Sequence, residues 1–197
     1  MKYCPECGSK VIAGAKFCPE CGYKILAQNE KATFPGVAVT KVSSVVYIKR
    51  TLAKSGIEET SVIPNIAEKT LLTASKTIAR DTNPALILGI MNTALFKKGK
   101  TGAVFTGTEV FVRGMLENSV KIPYEGIVDV AYSVERKGNS KRKITEVAIL
   151  TVDYQDGNSI RVDSEQLDSD FPLEFLAQLL QNFNLNVDKI ETNIEII

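Results

Sequence analysis

The sequence lacks histidine altogether and has only four cysteines among its 197 residues. Without histidine the chain cannot form a Cys2His2 zinc finger, a His-ligated catalytic metal site, or a catalytic dyad or triad that uses an imidazole base. Carboxylate, lysine and tyrosine side chains are present, but no motif arranges them as acid, base and nucleophile. We therefore expect a protein that is not an enzyme and has no small-molecule substrate.

Three further signals are missing. A nucleotide-binding P-loop needs a glycine five residues before Gly99-Lys100, and Ala94 stands there. The apolar stretch at residues 86–96 is broken by Asn92 and Thr93 and is shorter than the ~20 residues of a membrane-spanning helix. The start, Met1-Lys2-Tyr3-Cys4, has no apolar signal-peptide core, so we expect the chain to remain in the reducing cytoplasm.

All four cysteines lie in two copies of one motif. Cys4-Pro5-Glu6-Cys7-Gly8 is repeated as Cys18-Pro19-Glu20-Cys21-Gly22, and the ten residues between the two cysteine pairs suffice for a hairpin that brings them together. The spacing predicts a zinc ribbon over residues 1–26. Its Zn²⁺ ligands would be Cys4, Cys7, Cys18 and Cys21. Four thiolates leave no open position on the metal, so the zinc would be structural and would supply the folding free energy of this short segment.

Two other fates of the four cysteines stay open. Paired disulfides require an oxidising compartment, which the expected cytoplasmic location disfavours. A rubredoxin-like iron site has the same tetrahedral sulfur geometry, and the short spacer between the motifs favours a zinc ribbon over it.

The charges are unevenly distributed along the chain. Residues 1–143 hold 22 of the 24 Lys and Arg residues but only 12 of the 23 Asp and Glu residues, although the formal net charge is +1. The basic N-terminal part and the acidic C-terminal part could attract each other or bind different partners. With 44% hydrophobic residues, the chain has enough apolar side chains for one or two packed units besides the ribbon.

Changes in pattern divide the rest of the chain into four stretches and predict an α+β fold. A polar linker comes first. We expect it to tether the ribbon, so that the ribbon is not packed against the rest of the chain. A helical segment follows, then a β domain closed by a helix, and then a tail. The bounds are 27–43 for the linker, 44–99 for the helical segment, 100–185 for the β domain and 186–197 for the tail.

The first two helices of the helical segment are predicted from spacing and caps. Val45, Ile48 and Leu52 recur at helical spacing, although the same stretch could begin a strand. Asn65 can cap a second helix, with Glu68 as its capping-box partner.

A third helix is predicted to begin at Asn83-Pro84 and to reach residue 96. It would be apolar on nearly all sides, so we expect it to be buried. The alternative is a helix that lies on a membrane, with Lys97, Lys98 and Lys100 at the lipid phosphates.

From Thr101 the apolar residues alternate with a period of two. Strands are predicted at 103–105, 110–112, 119–123, 127–136, 145–154 and 159–162, with a hairpin turn at Asp156-Gly157-Asn158. This spacing favours a small antiparallel barrel or a pair of packed sheets. Asp170 can cap a closing helix. Its apolar stripe, expected to pack against Phe105, Phe111 or Ile149, is Leu173, Leu176, Ala177, Leu180 and Phe183.

The β domain resembles bacterial pleckstrin-homology-like domains over about residues 100–184. The residues that carry the resemblance are Phe105-Thr106, Val110-Phe111-Val112, Lys121-Ile122-Pro123-Tyr124-Glu125-Gly126-Ile127, Val152-Asp153-Tyr154-Gln155-Asp156-Gly157 and the closing helix. A pleckstrin-homology barrel has seven strands, whereas six are predicted here. The first 25 residues are similar to the short zinc ribbons that head many bacterial multidomain proteins. The resemblance implies a binding scaffold without a single common ligand.

The densest basic run lies at residues 136–143, in the loop between two long predicted strands. Its candidate anion- or partner-binding residues are Arg136, Lys137, Lys141, Arg142 and Lys143. Such a loop is usually a solvated hairpin tip that keeps a sheet soluble. The alternative is that the loop binds nucleic-acid phosphates, although no aromatic stacking platform accompanies it. In lipid-binding pleckstrin-homology domains the headgroup-binding loop joins the first two strands, whereas this loop comes later.

These features predict a cytoplasmic, non-catalytic adaptor that docks a protein partner through the pleckstrin-homology-like domain and the ribbon. One alternative is a nucleic-acid-binding or regulatory protein that uses the ribbon and the basic loop. Another is peripheral binding to an anionic membrane surface. The cofactor expected in each case is structural Zn²⁺.

Overall fold

The computed structural model describes residues 2–3, 10–11, 41–93, 100–115, 118–139, 143–167 and 171–191. The chain divides into two compact units, Met1–Ala38 and Val39–Ile197. In the first unit, β1 (Lys2–Tyr3) and β2 (Lys10–Val11) form an antiparallel hairpin. The second unit contains, in chain order, β3 (Val42–Ser43), α1 (Ser44–Ala53), β4 (Thr60–Val62), α2 (Glu68–Thr77), β5 (Gly89–Asn92), β6 (Gly102–Phe105), β7 (Glu109–Arg113), β8 (Val120–Pro123), β9 (Ile127–Asn139), β10 (Lys143–Tyr154), β11 (Ser159–Asp163), α3 (Leu173–Gln181), α4 (Phe183–Asn186) and β12 (Val187–Lys189).

Strands β4 to β8 form one antiparallel sheet in chain order. All residues of β5 and β6 are buried, because side chains of these strands alternate between two apolar clusters. Ile90 and Val104 belong to a smaller cluster with α2. Met91, Ala103 and Phe105 belong to the main core, which also contains residues of α1 and α3. The middle of this sheet is therefore covered on both faces.

The helix predicted from Asn83-Pro84 to residue 96 is wrong over the part that the structure describes. Asn83 does cap a turn, since its Oδ1 accepts a hydrogen bond of 3.0 Å from the Ala85 N–H. That turn is a single 3-10 turn, Pro84–Leu86, and the strand β5 follows it. A central strand with two covered faces is apolar at consecutive positions, so its sequence looks like that of a buried helix.

The first two helices are present, but the cap predicted for the second is wrong. Helix α1 starts after Ser43, whose Oγ accepts from the Val46 N–H at 3.5 Å. Helix α2 starts at Glu68 with Ala67 as its N-cap and no side-chain capping bond. Asn65 cannot cap this helix because it belongs to a preceding turn, in which its N–H donates to the Val62 carbonyl at 2.9 Å.

Strands β9, β10 and β11 form a second antiparallel sheet with β10 in the middle. Val130, Leu150 and Val162, one from each strand, belong to the main core. Strands β9 and β10 continue well past β11, and residues 133–138 of β9 are exposed on both faces. The six predicted strands after Thr101 are confirmed as β6 to β11.

Helix α3 and Phe183, the first residue of α4, close the main core with the predicted stripe. All five stripe residues are buried: Leu173, Leu176, Ala177, Leu180 and Phe183. They share a cluster with Phe105 but not with Phe111, whose ring belongs to the smaller cluster with α2. The helix starts after Pro172, and Asp170, its predicted cap, lies outside the described residues.

Residues 187–191, predicted to belong to a tail, are part of the second unit. Strand β12 pairs in parallel with β3, so Val42 lies in a strand rather than in the linker. The Glu191 N–H donates to Ser44 Oγ at 2.9 Å. Lys41 Nζ donates to the Asn184 carbonyl at 3.2 Å.

The fold is mixed α and β, as predicted. The five-stranded and three-stranded sheets share the main core and are accompanied by a few short helices. Within the described strands no hydrogen-bonded circle closes into a barrel, so of the two predicted arrangements the described part forms a pair of packed sheets.

Candidate functional site

The candidate metal site belongs to the hairpin of the first unit. Lys2 pairs with Val11 and Tyr3 pairs with Lys10, so residues 4–9 connect β1 and β2. This connection contains the first C-x2-C motif. A short hairpin around a C-x2-C pair is the context expected for one half of a tetrathiolate site. The four predicted ligands, Cys4, Cys7, Cys18 and Cys21, lie outside the described residues.

The chemistry of this donor set fits a tetrahedral metal. Thiolates are soft ligands that select Zn²⁺ or iron over Mg²⁺ or Ca²⁺. Four of them would occupy every position of a tetrahedral ion, so the metal would hold the ribbon folded and would not bind a substrate. In the part of the chain that the structure describes, no group of three or more His, Cys, Asp or Glu side chains could hold a metal ion.

The predicted basic loop lies at the end of the long hairpin of β9 and β10. Arg136 Nε is 3.0 Å from Glu146 Oε1, directly opposite on β10. Lys137 Nζ is 2.6 Å from Glu165 Oε2, and this hydrogen bond raises the pKa of Lys137. Among the other candidates, Lys141 and Arg142 lie outside the described residues, as does the side chain of Lys143.

The two ion pairs change what the hairpin presents to a ligand. A third pair, 3.9 Å between Arg161 Nη2 and Glu135 Oε1, adds another carboxylate beside them. All three pairs are exposed, so solvent screens them and each contributes little stability. An anion would nevertheless have to compete with Glu146 and Glu165 for Arg136 and Lys137.

The lysines predicted to meet lipid phosphates fall in a connection between two strands. Asn92 pairs with Gly102, so residues 93–101 join β5 to β6. This connection contains Lys97, Lys98 and Lys100. No helix in the described part of the chain is both long and apolar enough to cross a membrane.

A buried aromatic cluster was not predicted from the sequence. Tyr124 is 1% exposed, and its ring centroid lies 4.6 Å from that of Phe183. Its hydroxyl has no hydrogen-bond partner among the described residues, and burial raises its pKa well above the usual value. The Tyr47 hydroxyl donates to the Leu179 carbonyl at 2.9 Å. These tyrosines are core groups that a substrate in solution cannot reach.

Comparison with known proteins identifies the first unit. Residues 3–25 match the family model of the zinc-ribbon domain. No curated protein and no solved structure matches the chain. The matched residues include both C-x2-C motifs, and sites of this type usually hold a structural zinc ion. The match confirms the zinc-ribbon interpretation of residues 3–25 and supports zinc binding by this unit.

Proposed function

We propose that the protein is a non-catalytic, cytoplasmic adaptor in which a zinc ribbon is tethered to a pleckstrin-homology-like body, and that the body and the ribbon together dock a protein partner. The observation that carries this proposal is the zinc-ribbon match at residues 3–25. Its four thiolates saturate a tetrahedral zinc, which leaves the metal no position for a substrate. Zinc would thus stabilise a small binding surface.

The strand count supports the pleckstrin-homology-like part of the proposal. The sequence predicted six of the seven strands expected for such a domain, and β5 supplies a strand before the first of them. Strands β5 to β11 would be these seven, with β4 as an additional edge strand of the five-stranded sheet, and α3 follows them with its apolar residues buried in the main core.

The charge arrangement supports a protein partner rather than a polyanion. Arg136 and Lys137 are paired with Glu146 and Glu165, so this part of the hairpin presents charges of both signs. Mixed charges suit the polar rim of a protein interface, whereas nucleic-acid binding depends on unopposed cations.

The test compares partner capture with polyanion binding, both with the full chain. We expect the zinc-loaded protein to capture a specific protein from cell extract at high salt, and Cys4→Ser plus Cys18→Ser to lose it. We expect no saturable binding to DNA or RNA at physiological salt. Salt-sensitive binding to either nucleic acid that Arg136→Gln plus Lys137→Gln weakens would overturn the proposal in favour of the nucleic-acid alternative.

A second candidate function, peripheral binding to an anionic membrane, is favoured by the connection between β5 and β6. Its sequence Leu95-Phe96-Lys97-Lys98-Gly99-Lys100 combines apolar and basic residues. In the pleckstrin-homology-like interpretation it joins the first two strands, where lipid-binding members hold headgroups. Co-sedimentation with phosphatidylserine vesicles tests it. Lys97→Gln plus Lys98→Gln should abolish binding, whereas the charge-matched control Lys69→Gln plus Lys76→Gln on α2 should retain it.

A further inference from the structure

Strand β9 is an edge strand in the described sheets, and no described strand pairs with its outer side. The order of the second sheet is β11, β10, β9, so β10 pairs with one side of β9. Residues 133–138 are exposed, and the apolar side chain of Val134 is 50% exposed. Such an edge offers backbone groups to another strand.

The hydrogen bonds around β9 show which backbone groups point outward. The Val130 carbonyl accepts from Gln181 Nε2 at 2.9 Å, so Val130 faces away from β10. Orientation alternates along a strand, which turns the N–H and C=O of Tyr132, Val134 and Arg136 outward as well. The hydrogen bonds of β10 support this orientation. Ala148 pairs with Val134, and its carbonyl accepts from the Ser164 N–H instead of bonding to β9.

Among the described residues, the outward groups have hydrogen-bond partners at one end of β9 and none at the other. Gln181 and Asn184 cap the carbonyls of Val130 and Ile127 with their side-chain amides. No described residue bonds to the outward backbone groups of Tyr132, Val134 or Arg136. The edge without described hydrogen-bond partners thus begins after Val130, the last residue whose carbonyl is capped by a side-chain amide.

We propose that this edge pairs with the same edge of a second copy of the chain, antiparallel and with Val134 on the two-fold axis. Val134 then faces the partner's Val134, and Tyr132 faces the partner's Arg136. Each of these pairs exchanges two backbone hydrogen bonds through groups that have no partner among the described residues. The two three-stranded sheets become one continuous sheet. The proposal does not depend on the proposed function, which concerns a different partner.

The side chains of residues 132–136 favour a second copy of the chain as the pairing strand, and they favour the register centred on Val134. A residue on the two-fold axis meets its own copy, so centring the pairing on Glu135 or Arg136 would oppose like charges directly. Centring it on Val134 joins two β-branched residues and places Arg136 opposite the partner's aromatic Tyr132. On the other face, Ser133 lies opposite the partner's Glu135. No like charges are then directly opposite over residues 132–136.

The first test is the concentration dependence of the mass of the full zinc-loaded chain, measured by sedimentation. A short edge-to-edge interface predicts a dimer that forms in the micromolar range. Val134→Pro removes an outward N–H without removing a bond to β10, so it should raise the dissociation constant about tenfold or more. Val134→Thr keeps both the N–H and the β-branched shape and should dimerise like the wild type.

The second test is cross-linking, which does not depend on the proline variant. In a hydrogen-bonded pair the Cα atoms are about 5.5 Å apart, within disulfide range, so Val134→Cys should form a covalent dimer under mild oxidation. Two copies of residue 133 would lie about 8 Å apart, too far for a disulfide, so Ser133→Cys should not cross-link above the wild-type background. A wild-type chain that stays monomeric, a dimer unaffected by Val134→Pro, or equal cross-linking at both positions would overturn the proposal.

Discussion

At the scale of single residues, a glycine and a serine determine where residues 187–191 pack. Ser44 is fully buried, and its Oγ accepts from the Glu191 N–H. The Glu191 carbonyl lies so close to Gly107 that a Cβ at this position would collide with it. The absence of a side chain at Gly107 therefore lets residues 187–191 lie beside α1 and the turn between β6 and β7.

Two glutamines on α3 provide a matched pair for a stability test. Both are exposed, but Gln181 Nε2 donates to the Val130 carbonyl at 2.9 Å. Gln181→Ala should therefore lower the free energy of unfolding by about 0.5–1.5 kcal/mol. Gln178 reaches only Glu174, at 3.4 Å, and its replacement by alanine should stay within about 0.5 kcal/mol. Denaturant titration checks both variants, and equal effects would contradict the role of Gln181.

The buried tyrosines predict how stability depends on pH. Burial raises the pKa of Tyr154 to about 12 from 10.0, and that of Tyr124 also rises. Between these values the unfolded chain loses protons that the folded chain keeps, so this stabilisation is complete below pH ~10 and decreases as the pH rises toward ~12. Denaturant titrations at about pH 9 and about pH 11 should show the decrease. It should be smaller in Tyr154→Phe, and a decrease as large as in the wild type would exclude Tyr154 as a cause.

At the scale of elements, a helix or strand could be predicted from the sequence when only one of its faces is buried. Strands β6 to β11 were found from their period of two and from turns such as Asp156-Gly157, and α3 from its apolar stripe. Strand β5 was missed because both of its faces are buried, which removes the alternation. Strands β3 and β12 are two and three residues long and pair with each other although most of the chain separates them in sequence. No local sequence pattern therefore predicts them.

The assignment of β5 can be tested by nuclear magnetic resonance. Its flanking amides should exchange slowly, because the Leu88 N–H donates to the Phe105 carbonyl at 2.8 Å and the Asn92 N–H to the Glu59 carbonyl at 3.0 Å. Backbone protons of Ile90 should show contacts with those of Val104, its partner on β6. The helix predicted from the sequence would instead give contacts between residues three apart over 86–92.

At the scale of the whole molecule, the zinc ribbon was predictable and the charge balance was not. The predicted metal ligands lie in two short motifs, so the spacing of the cysteines alone predicted the ribbon that the family match at residues 3–25 supports. Arg136 and Lys137 pair with acids 10 and 28 residues away in the sequence, and only the folded strands bring these charges together. A run of basic residues was therefore visible in the sequence without the carboxylates that oppose it.

The two units should respond differently to loss of metal. The second unit has two apolar clusters of its own, so we expect its cooperative thermal transition to persist after chelation, whereas the ribbon should unfold. Circular dichroism scans with and without chelator make the comparison. A fall of the second unit's melting temperature by more than about 4 °C, equivalent to roughly 1 kcal/mol, would show that the units depend on each other.

The central claim is tested most directly by the metal content of the purified full-length chain. Elemental analysis should find one zinc ion per chain, because four thiolates complete one tetrahedral site. The double variant Cys4→Ser plus Cys18→Ser should lose the zinc, and the control Glu6→Gln plus Glu20→Gln, in the same motifs but without ligand changes, should retain it. Iron in place of zinc, or zinc retained without Cys4 and Cys18, would contradict the account.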